Sequence, residues 1–157
     1  MHWFSDDRYS EIEQEIVVTC VDTVVSDGLG RILLGKREKG PVIGWWIFGG
    51  RMSVGESYRD ASTRHLKQEL GIDTFKWKGV VGHYLLHYSD YNGYKRSDML
   101  IAPLVEIDSK SLDIKYLDSA GHTDIGWFGF DDIKNVDPHS YLVSVVNDSR
   151  VFGVDKL

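Results

Sequence analysis

Hydrophobic and polar positions alternate along much of the chain, and the pattern predicts more strand than helix. Runs rich in Val, Ile, Thr and aromatic residues, bounded by Gly, Asp and Asn, are typical of strands and the turns between them. They predict strands over residues 15–25, 31–37, 45–48, 76–88, 98–107 and 125–128. Turn-forming residues at 26–30 join the first two strands into a hairpin, and residues 90–93 form a second turn.

Two other segments predict helices. Residues 57–70 contain neither Gly nor Pro and are followed by Gly71, which occupies the position of a helix-ending glycine. A second helix is predicted over residues 140–147, introduced by Asp137 as N-cap and Pro138 at the first helical position. The expected fold class is therefore mixed α/β, of the α+β kind, and the order of the strands does not follow from the pattern.

Length, charge and cysteine content limit the number of domains, the partners and the compartment that are expected. The chain has 157 residues, and because domains commonly contain about 100–200, a single domain over residues 1–157 is expected. Its 18 basic and 24 acidic residues give a net charge of −6, which disfavours nucleic acid or membrane partners but permits a small phosphorylated substrate. Cys20 is the one cysteine, so no intrachain disulfide forms. With no basic and apolar leader, a reducing cytoplasm is expected.

The segment around residues 49–71 contains the residue types that approach phosphate and metal. Gly49 and Gly50 let the backbone come close to a ligand. On the following helix, one face is shared by Tyr58, Ser62, His65, Leu66 and Glu69. Near a helix C-terminus a carboxylate needs a cation or a hydrogen-bond donor, and Mg²⁺ suits carboxylate, carbonyl and water oxygens. Taken alone, a helical glutamate such as Glu69 is more commonly solvated or ion-paired.

The same segment resembles the Nudix hydrolase signature. That signature runs Gly, five residues, Glu, seven residues, Arg-Glu, an aliphatic, any residue, Glu-Glu, any residue, Gly and an aliphatic. The positions that match it here are Gly50, Glu56, Arg64, Leu66, Glu69, Gly71 and Ile72. The resemblance implies the Nudix fold, a mixed β-sheet sandwiched between helices. Two signature glutamates are replaced, by His65 and Gln68.

Loss of those glutamates with the last one kept is similar to the GDP-mannose mannosyl hydrolase branch of the family. In that branch water attacks the anomeric carbon of a nucleotide sugar, a nucleoside diphosphate leaves, and the configuration inverts. Such a reaction needs a general base opposite the leaving group, a role that suits histidine. The resemblance implies His122 as this base, with Glu69 and the Gly49 carbonyl as ligands of one Mg²⁺ ion, or alternatively Mn²⁺.

The remaining roles also come from the resemblance. Arg51 and Arg64 are expected to act in catalysis by contacting the diphosphate, which suits the bidentate guanidinium. Asp22, Arg37 and His87 are expected to bind the substrate. In that branch the residue at the position of Arg37 is lent across a dimer, which implies a homodimer with a nucleotide sugar as its small-molecule partner.

One departure and several alternatives stay open at this stage. The branch has a metal-binding glutamine where this chain has Gly121, and water, Asp118 or Asp124 could take its place. A Nudix pyrophosphohydrolase that attacks phosphorus and a non-catalytic nucleotide-binding module are the alternative functions.

Simpler structural roles are open as well. In these alternatives, His122 is an exposed loop histidine, His87 is a hydrogen-bonded structural residue, and His65 is a packing or capping residue. Glu56 and Arg64 form a structural ion pair in this interpretation.

Overall fold

Ten helices and strands make up the regular structure of the residues that the computed structural model describes, which are 5–40, 42–89, 93–112, 121–136 and 139–152. In chain order they are α1 Asp6–Glu15, β1 Val18–Ser26, β2 Arg31–Arg37, β3 Gly44–Trp46, β4 Phe48–Arg51, α2 Tyr58–Leu70, β5 Lys76–Ser89, β6 Lys95–Glu106, β7 His122–Gly129 and α3 Ser140–Ser149. Short 3₁₀ turns cover Ser109–Ser111, Asp132–Asn135 and Arg150–Phe152.

The seven strands form one mixed sheet that splits between β1 and β2. The main path runs β3-β2-β1-β6-β5, with β1 parallel to β6 and the other pairs antiparallel. β1 and β2 pair at Val25 and Ser26 only. Earlier in β1, residues 20–23 pair with β4, while the end of β2 pairs with β3 on one edge and β7 on the other. The candidate site lies at this split.

Helices cover both faces of the sheet. On one face α2 contributes Leu66 and Leu70 to a core with Val25, Leu33 and Phe48. On the other face α3 contributes Leu142, Val145 and Val146 to a second core. The sheet residues of that core include Val24, Ile32 and Leu34. This arrangement confirms the expected fold class, a mixed sheet between helices.

The pleat of β1 assigns its residues to the two faces. Cys20 and Val24 belong to the core beneath α3, and Asp22 between them points the same way. Thr23 points to the opposite face, where its hydroxyl hydrogen-bonds Ser62 of α2 at 2.7 Å. Asp22 and α2 therefore approach the split from opposite sides.

Helix α2 begins and ends as its sequence predicts. Ser57 is the N-cap, its hydroxyl accepting from the Asp60 N–H while the Asp60 carboxylate accepts from the Ser57 N–H. This capping box satisfies donors that a helix start leaves free. Gly71 ends the helix at φ 69°, a left-handed conformation that glycine adopts without strain.

Several boundaries differ from the sequence predictions, and the reasons are tertiary. The strand expected over 45–48 is two strands, because the chain changes partner from β2 to β1 at Ile47. β7 begins at His122 instead of residue 125, since it pairs with nearly all of β2. α1 was not predicted; it is mostly polar and rests on contacts with distant strands.

The second predicted helix is present, begins at the predicted residue 140 and ends two residues later than predicted. α3 begins at Ser140 with His139 as N-cap, whose Nδ1 accepts from the Tyr141 N–H. The expected N-cap Asp137 and Pro138 lie outside the described residues, as do residues 90–92 of the second turn. None of the helices described is long and apolar enough to cross a bilayer.

Replacing the N-cap of α2 should lower stability measurably. Ser57→Ala removes the side-chain acceptor of the capping box, so the free energy of unfolding should fall by about 1 kcal/mol. Ser53→Ala is the matched control, because no hydrogen bond of the Ser53 hydroxyl is found within the described residues, and it should change stability by less than about 0.5 kcal/mol. Urea unfolding measures both, and equal losses would contradict the capping role.

Candidate active site

Glu69 of α2 and His122 of β7 form a buried pair at the split of the sheet. The His122 Nε2 atom lies 2.8 Å from the Glu69 Oε2 atom, and the two side chains are 1% and 12% exposed. Because a carboxylate can only accept, Nε2 carries the proton of this hydrogen bond when Glu69 is ionised. The sequence places these residues 53 positions apart, and the fold brings them together.

His122 is a buried strand residue, which rules out the alternative of an exposed loop histidine. Its ring stacks edge-on against Phe48 and lies over Gly35, where a Cβ atom would sit 2.6 Å from the His122 Nδ1. That nitrogen is buried without a hydrogen-bond partner in the described structure. Gly35 therefore makes room for the imidazole, which is held with one nitrogen on Glu69 and the other against the sheet.

His65 faces the same carboxylate from one helical turn away. Its Nδ1 lies 3.8 Å from the Glu69 Oε1, which is the carboxylate oxygen that His122 does not contact. Its Nε2 lies 3.0 Å from the Arg51 carbonyl oxygen, and its ring fits against Gly50, where a Cβ would approach within 3.0 Å. Burial lowers the pKa of His65 and the Arg64 charge lowers it further, while the hydrogen bond to the Arg51 carbonyl and the Glu69 and Glu56 charges oppose the shift.

Arg64 is held by Glu56, as the structural interpretation of this pair predicted. Its Nε and Nη2 atoms donate to the two Glu56 carboxylate oxygens at 2.6 and 2.7 Å. The same Nη2 also donates to the Arg51 carbonyl at 3.0 Å. The guanidinium is thus engaged on three acceptors, and its expected role toward a diphosphate stays a prediction.

A cavity of about 640 Å³ opens on the other side of strand β4. It is lined by four of the residues singled out from the sequence, namely Asp22, Arg37, Gly49 and Arg51. Glu69 and His122 do not line it. Gly50 joins the two regions, because its backbone borders the cavity while its missing side chain leaves space for His65.

Asp22 is a buried carboxylate at the floor of this cavity. It accepts a hydrogen bond from the Trp46 indole at 3.1 Å and lies opposite Gly49 in the β1–β4 pair. Burial raises the pKa of Asp22 to about 6, although the nearby Arg37 charge and the indole hydrogen bond oppose the shift. The Glu69 charge raises the pKa of Asp22 further, so the two carboxylates repel each other across the split.

Helix α1 covers the cavity and engages Arg51. The Arg51 guanidinium lies 3.7 Å from the centre of the Tyr9 ring and 3.6 Å from a Glu13 carboxylate oxygen. Glu13 also pairs with the buried Arg96 at 2.9 Å, and Arg96 donates to the Ser10 carbonyl and hydroxyl. Sequence reasoning missed these cavity residues because it missed α1, for which Ser5 followed by two aspartates is an N-cap signal.

His87 lies apart from the other predicted residues. Its neighbours Leu86 and Tyr88 line the main cavity, whereas His87 faces a second cavity bordered by α3. Its Nδ1 is 2.8 Å from the Ser97 hydroxyl, which is the hydrogen-bonded arrangement considered for it. The structure therefore does not bring His87 to the cavity that holds Asp22 and Arg51.

The donors at the split fit a single divalent ion better than several. Within the described ranges no three His, Cys, Asp or Glu side chains are grouped to hold a metal. Glu69 offers one carboxylate, and a backbone carbonyl with water or substrate oxygens would complete the oxygen-rich shell of such an ion. At Gly121 a Cβ would meet nothing within 4 Å, so the place of the missing ligand is open to water.

Of the two aspartates considered as replacements, the structure describes Asp124 alone. Asp118 lies outside the described residues. Asp124 is exposed, and its carboxylate accepts from the Ile125 N–H next to it in the chain.

The ion pair of Glu56 should give stability a defined pH dependence. Arg64 and the Ser53 N–H lower the pKa of Glu56 from 4.5 to about 2. Because the folded pKa is the lower one, the stabilisation is complete above about pH 5 and is lost as the pH falls toward about 2. The difference in unfolding free energy between wild type and Glu56→Gln should be constant from about pH 6 to 8 and shrink below about pH 5.

Urea unfolding across this pH range measures that difference. Glu15→Gln on the exposed part of α1 is the control and should show no such trend. A Glu56→Gln difference that is unchanged down to about pH 3 would contradict the pairing.

Comparison with known proteins places this geometry in a family. A family model described as the NUDIX domain matches residues 17–144, a range that contains Glu69 and His122. A 69-residue stretch is 36% identical to the low-salt glycan biosynthesis protein Agl8 of Haloferax volcanii, covering 43% of this chain and 44% of that protein. The match thus spans less than half the length of this curated relative.

Solved structures share the fold at low identity. The E. coli ORF135 protein superposes with a TM-score of 0.66 at 20% identity, covering 89% of this chain and 93% of that one. The NUDIX domain of Shewanella oneidensis NrtR, solved with ADP ribose, gives 0.65 at 15% identity, covering 94% and 98%. The split sheet, the signature on α2 and the family match agree, and the chain belongs to the NUDIX domain family.

Proposed function

We propose that this protein is a Nudix hydrolase of nucleotide sugars that releases a free sugar and a nucleoside diphosphate. The observation that carries the proposal is the buried Glu69–His122 pair, which adjoins a cavity containing Arg37, Arg51 and Asp22. A carboxylate and an imidazole beside cationic side chains suit a substrate that joins a diphosphate to a neutral group.

The replaced glutamates favour attack at carbon over attack at phosphorus. Activation of water for attack on phosphorus commonly uses several metal ions, which several carboxylates hold. Here His65 and Gln68 stand in two of those positions, and only Glu69 of the three retains a carboxylate. Attack at the anomeric carbon does not require the metal to activate the phosphorus centre. The diphosphate is then the leaving group, and only the charge that grows on it has to be neutralised.

In the proposed reaction each residue handles a proton or a charge. His122 accepts a proton from water as the water oxygen bonds to the anomeric carbon. The bond between that carbon and the phosphate oxygen breaks, and its electron pair leaves with the nucleoside diphosphate. Arg37 and Arg51 neutralise the charge that grows on the diphosphate. A divalent ion, Mg²⁺ or Mn²⁺, held by Glu69 and the Gly49 carbonyl would supply further neutralisation.

The position of His122 sets a condition on this role. Its Nε2 is bonded to Glu69 and its Nδ1 is buried over Gly35. To act as the base, the ring gives up its Glu69 hydrogen bond and takes the other tautomer, with its proton on Nδ1, so that the Nε2 lone pair faces the attacking water. Afterwards Glu69, 2.8 Å away in the described conformation, stabilises the imidazolium that forms.

The comparisons support a sugar-containing substrate. Agl8 is described as a glycan biosynthesis protein, and the NrtR domain was solved with ADP ribose, in which a nucleoside diphosphate is joined to a sugar. Arg37 lines the cavity close enough to Asp22 to lower the pKa of that carboxyl, and in this proposal its guanidinium binds the diphosphate there or, in the expected homodimer, in the site of a second protomer. A cytoplasmic location belongs to the same proposal.

A second candidate function is a nucleotide-binding module without catalysis. The specific observation that favours it is the closed state of His122, with one nitrogen on Glu69 and the other buried. In such a module the pair would be structural and the cavity would bind a ligand without turning it over.

Isotope labelling distinguishes the two bonds that could break. In ¹⁸O-labelled water with Mg²⁺, GDP-mannose, GDP-glucose, UDP-glucose and ADP-ribose serve as substrates, and mass spectrometry locates the label. We expect the label in the free sugar, because water attacks carbon. Label in a phosphate would replace the proposal with attack at phosphorus.

Substitution of His122 tests the base. His122→Gln should lower kcat by roughly 10²–10⁴ while changing substrate affinity little, because the base acts in the chemical step. His83→Gln replaces an exposed histidine of β5 and should leave the rate unchanged. Steady-state kinetics with calorimetric binding measures both, and a fully active His122→Gln protein would show that another group takes the proton.

A further inference from the structure

His65 and Glu69 form a pair of facing donors one turn apart at the end of α2. Residues four apart lie on the same helix face, so their side chains can reach one ion. The Nδ1–Oε1 separation is 3.8 Å, and the two side chains are 13% and 12% exposed. The distance is too long for a hydrogen bond.

The Arg51 carbonyl determines which atom of His65 faces the carboxylate. A carbonyl oxygen can only accept, so the Nε2 atom at 3.0 Å carries a proton. In a neutral ring the Nδ1 atom then carries the lone pair, and this lone pair faces the Glu69 Oε1. Two acceptors turned toward each other in a largely buried place repel unless a cation lies between them.

Neighbouring groups hold the far atom of each of the two side chains. Arg64 lies next to His65 in the chain, and its guanidinium shares the Arg51 carbonyl with the His65 ring. On the other side of Glu69, His122 already donates to Oε2, so that oxygen is satisfied and Oε1 is the one left for a cation.

We infer that His65 and Glu69 are the two side-chain ligands of one divalent ion, and that the site prefers Mn²⁺ over Mg²⁺. Two ligands at about 2.1 Å from a common ion lie about 3.0–3.4 Å apart, so a side-chain movement of roughly half an ångström closes the observed gap. His122 then orients Glu69 through the second carboxylate oxygen, as partners of metal ligands do.

The donor set explains the ion preference. Mn²⁺ takes the same oxygen-rich shell as Mg²⁺, but as a transition ion it accepts an imidazole nitrogen in that shell more readily than Mg²⁺ does. The histidine that replaces a signature glutamate therefore changes which ion the site takes without abolishing it. The inference rests on the proposed function in so far as Glu69 is a metal ligand there.

Pulsed electron paramagnetic resonance of the Mn²⁺-loaded protein tests this inference without any turnover. We expect ¹⁴N modulation from a directly bound imidazole, replaced by the ¹⁵N pattern when the protein is made with ¹⁵N-histidine. His65→Gln should abolish the nitrogen signal and weaken Mn²⁺ binding roughly tenfold or more, with Mg²⁺ binding changed less than about threefold. His83→Gln is the matched control and should keep the signal.

A second variant covers the case in which His65→Gln fails to fold. His65→Glu restores the residue type of the Nudix signature, so it should bind Mn²⁺ through oxygen alone, lose the nitrogen signal and gain Mg²⁺ affinity. Circular dichroism confirms that each variant is folded.

Three outcomes would overturn the inference. They are Mn²⁺ bound without nitrogen coupling, a nitrogen signal that His122→Gln removes and His65→Gln does not, and no Mn²⁺ binding at millimolar concentration. The product assay is independent of all three, because a free sugar formed with Mg²⁺ would uphold the proposed function while the role of His65 failed.

Discussion

The carbonyl oxygen of Arg51 fixes helix α2 against strand β4, and the arrangement of the site depends on that contact. It accepts from the Arg64 Nη2 and from the His65 Nε2, both at 3.0 Å. One acceptor thereby orients the arginine that binds Glu56 and the histidine that faces Glu69. Since backbone atoms of a paired strand move little, helix α2 and the glycines of β4 keep a fixed separation. The positions of the Arg64 and His65 side chains therefore depend on the sheet as much as on the helix.

The sequence predicted what depends on local spacing. The capping box and Gly71 define α2, and the signature positions on it indicate Glu69 and the Glu56–Arg64 pair. It could not predict the burial of His122, because the space for the ring comes from Gly35, far away in the chain. Its neighbours Gly121 and Thr123 resemble a loop, and only pairing with β2 makes a strand there. The four-residue spacing of His65 and Glu69 was visible, but the facing atoms were not.

The cavity combines charges of both signs, which has a cost for the fold. Arg37, Arg51 and Arg96 line it together with Glu13, Asp22 and Asp98. Asp22 is buried with its pKa raised, so its ionised form is less stable in the folded protein than in water. A buried group that destabilises the fold while facing a ligand cavity is typical of a binding site, where function and stability compete. The arrangement suits a ligand that carries both an anionic part and hydrogen-bond donors.

Helix α1 has no fully buried side chain among those described, and charged and polar contacts hold it over the cavity. Exposed ion pairs weaken as salt is added, whereas apolar packing between helices and sheet does not. The Arg51–Glu13 contact, at 3.6 Å and with the arginine side chain 45% exposed, belongs to the weakened kind. Added salt therefore weakens the Arg51 contact of the helix, whereas the Glu13–Arg96 pair, whose arginine is buried, and the apolar cores of the sheet are affected much less.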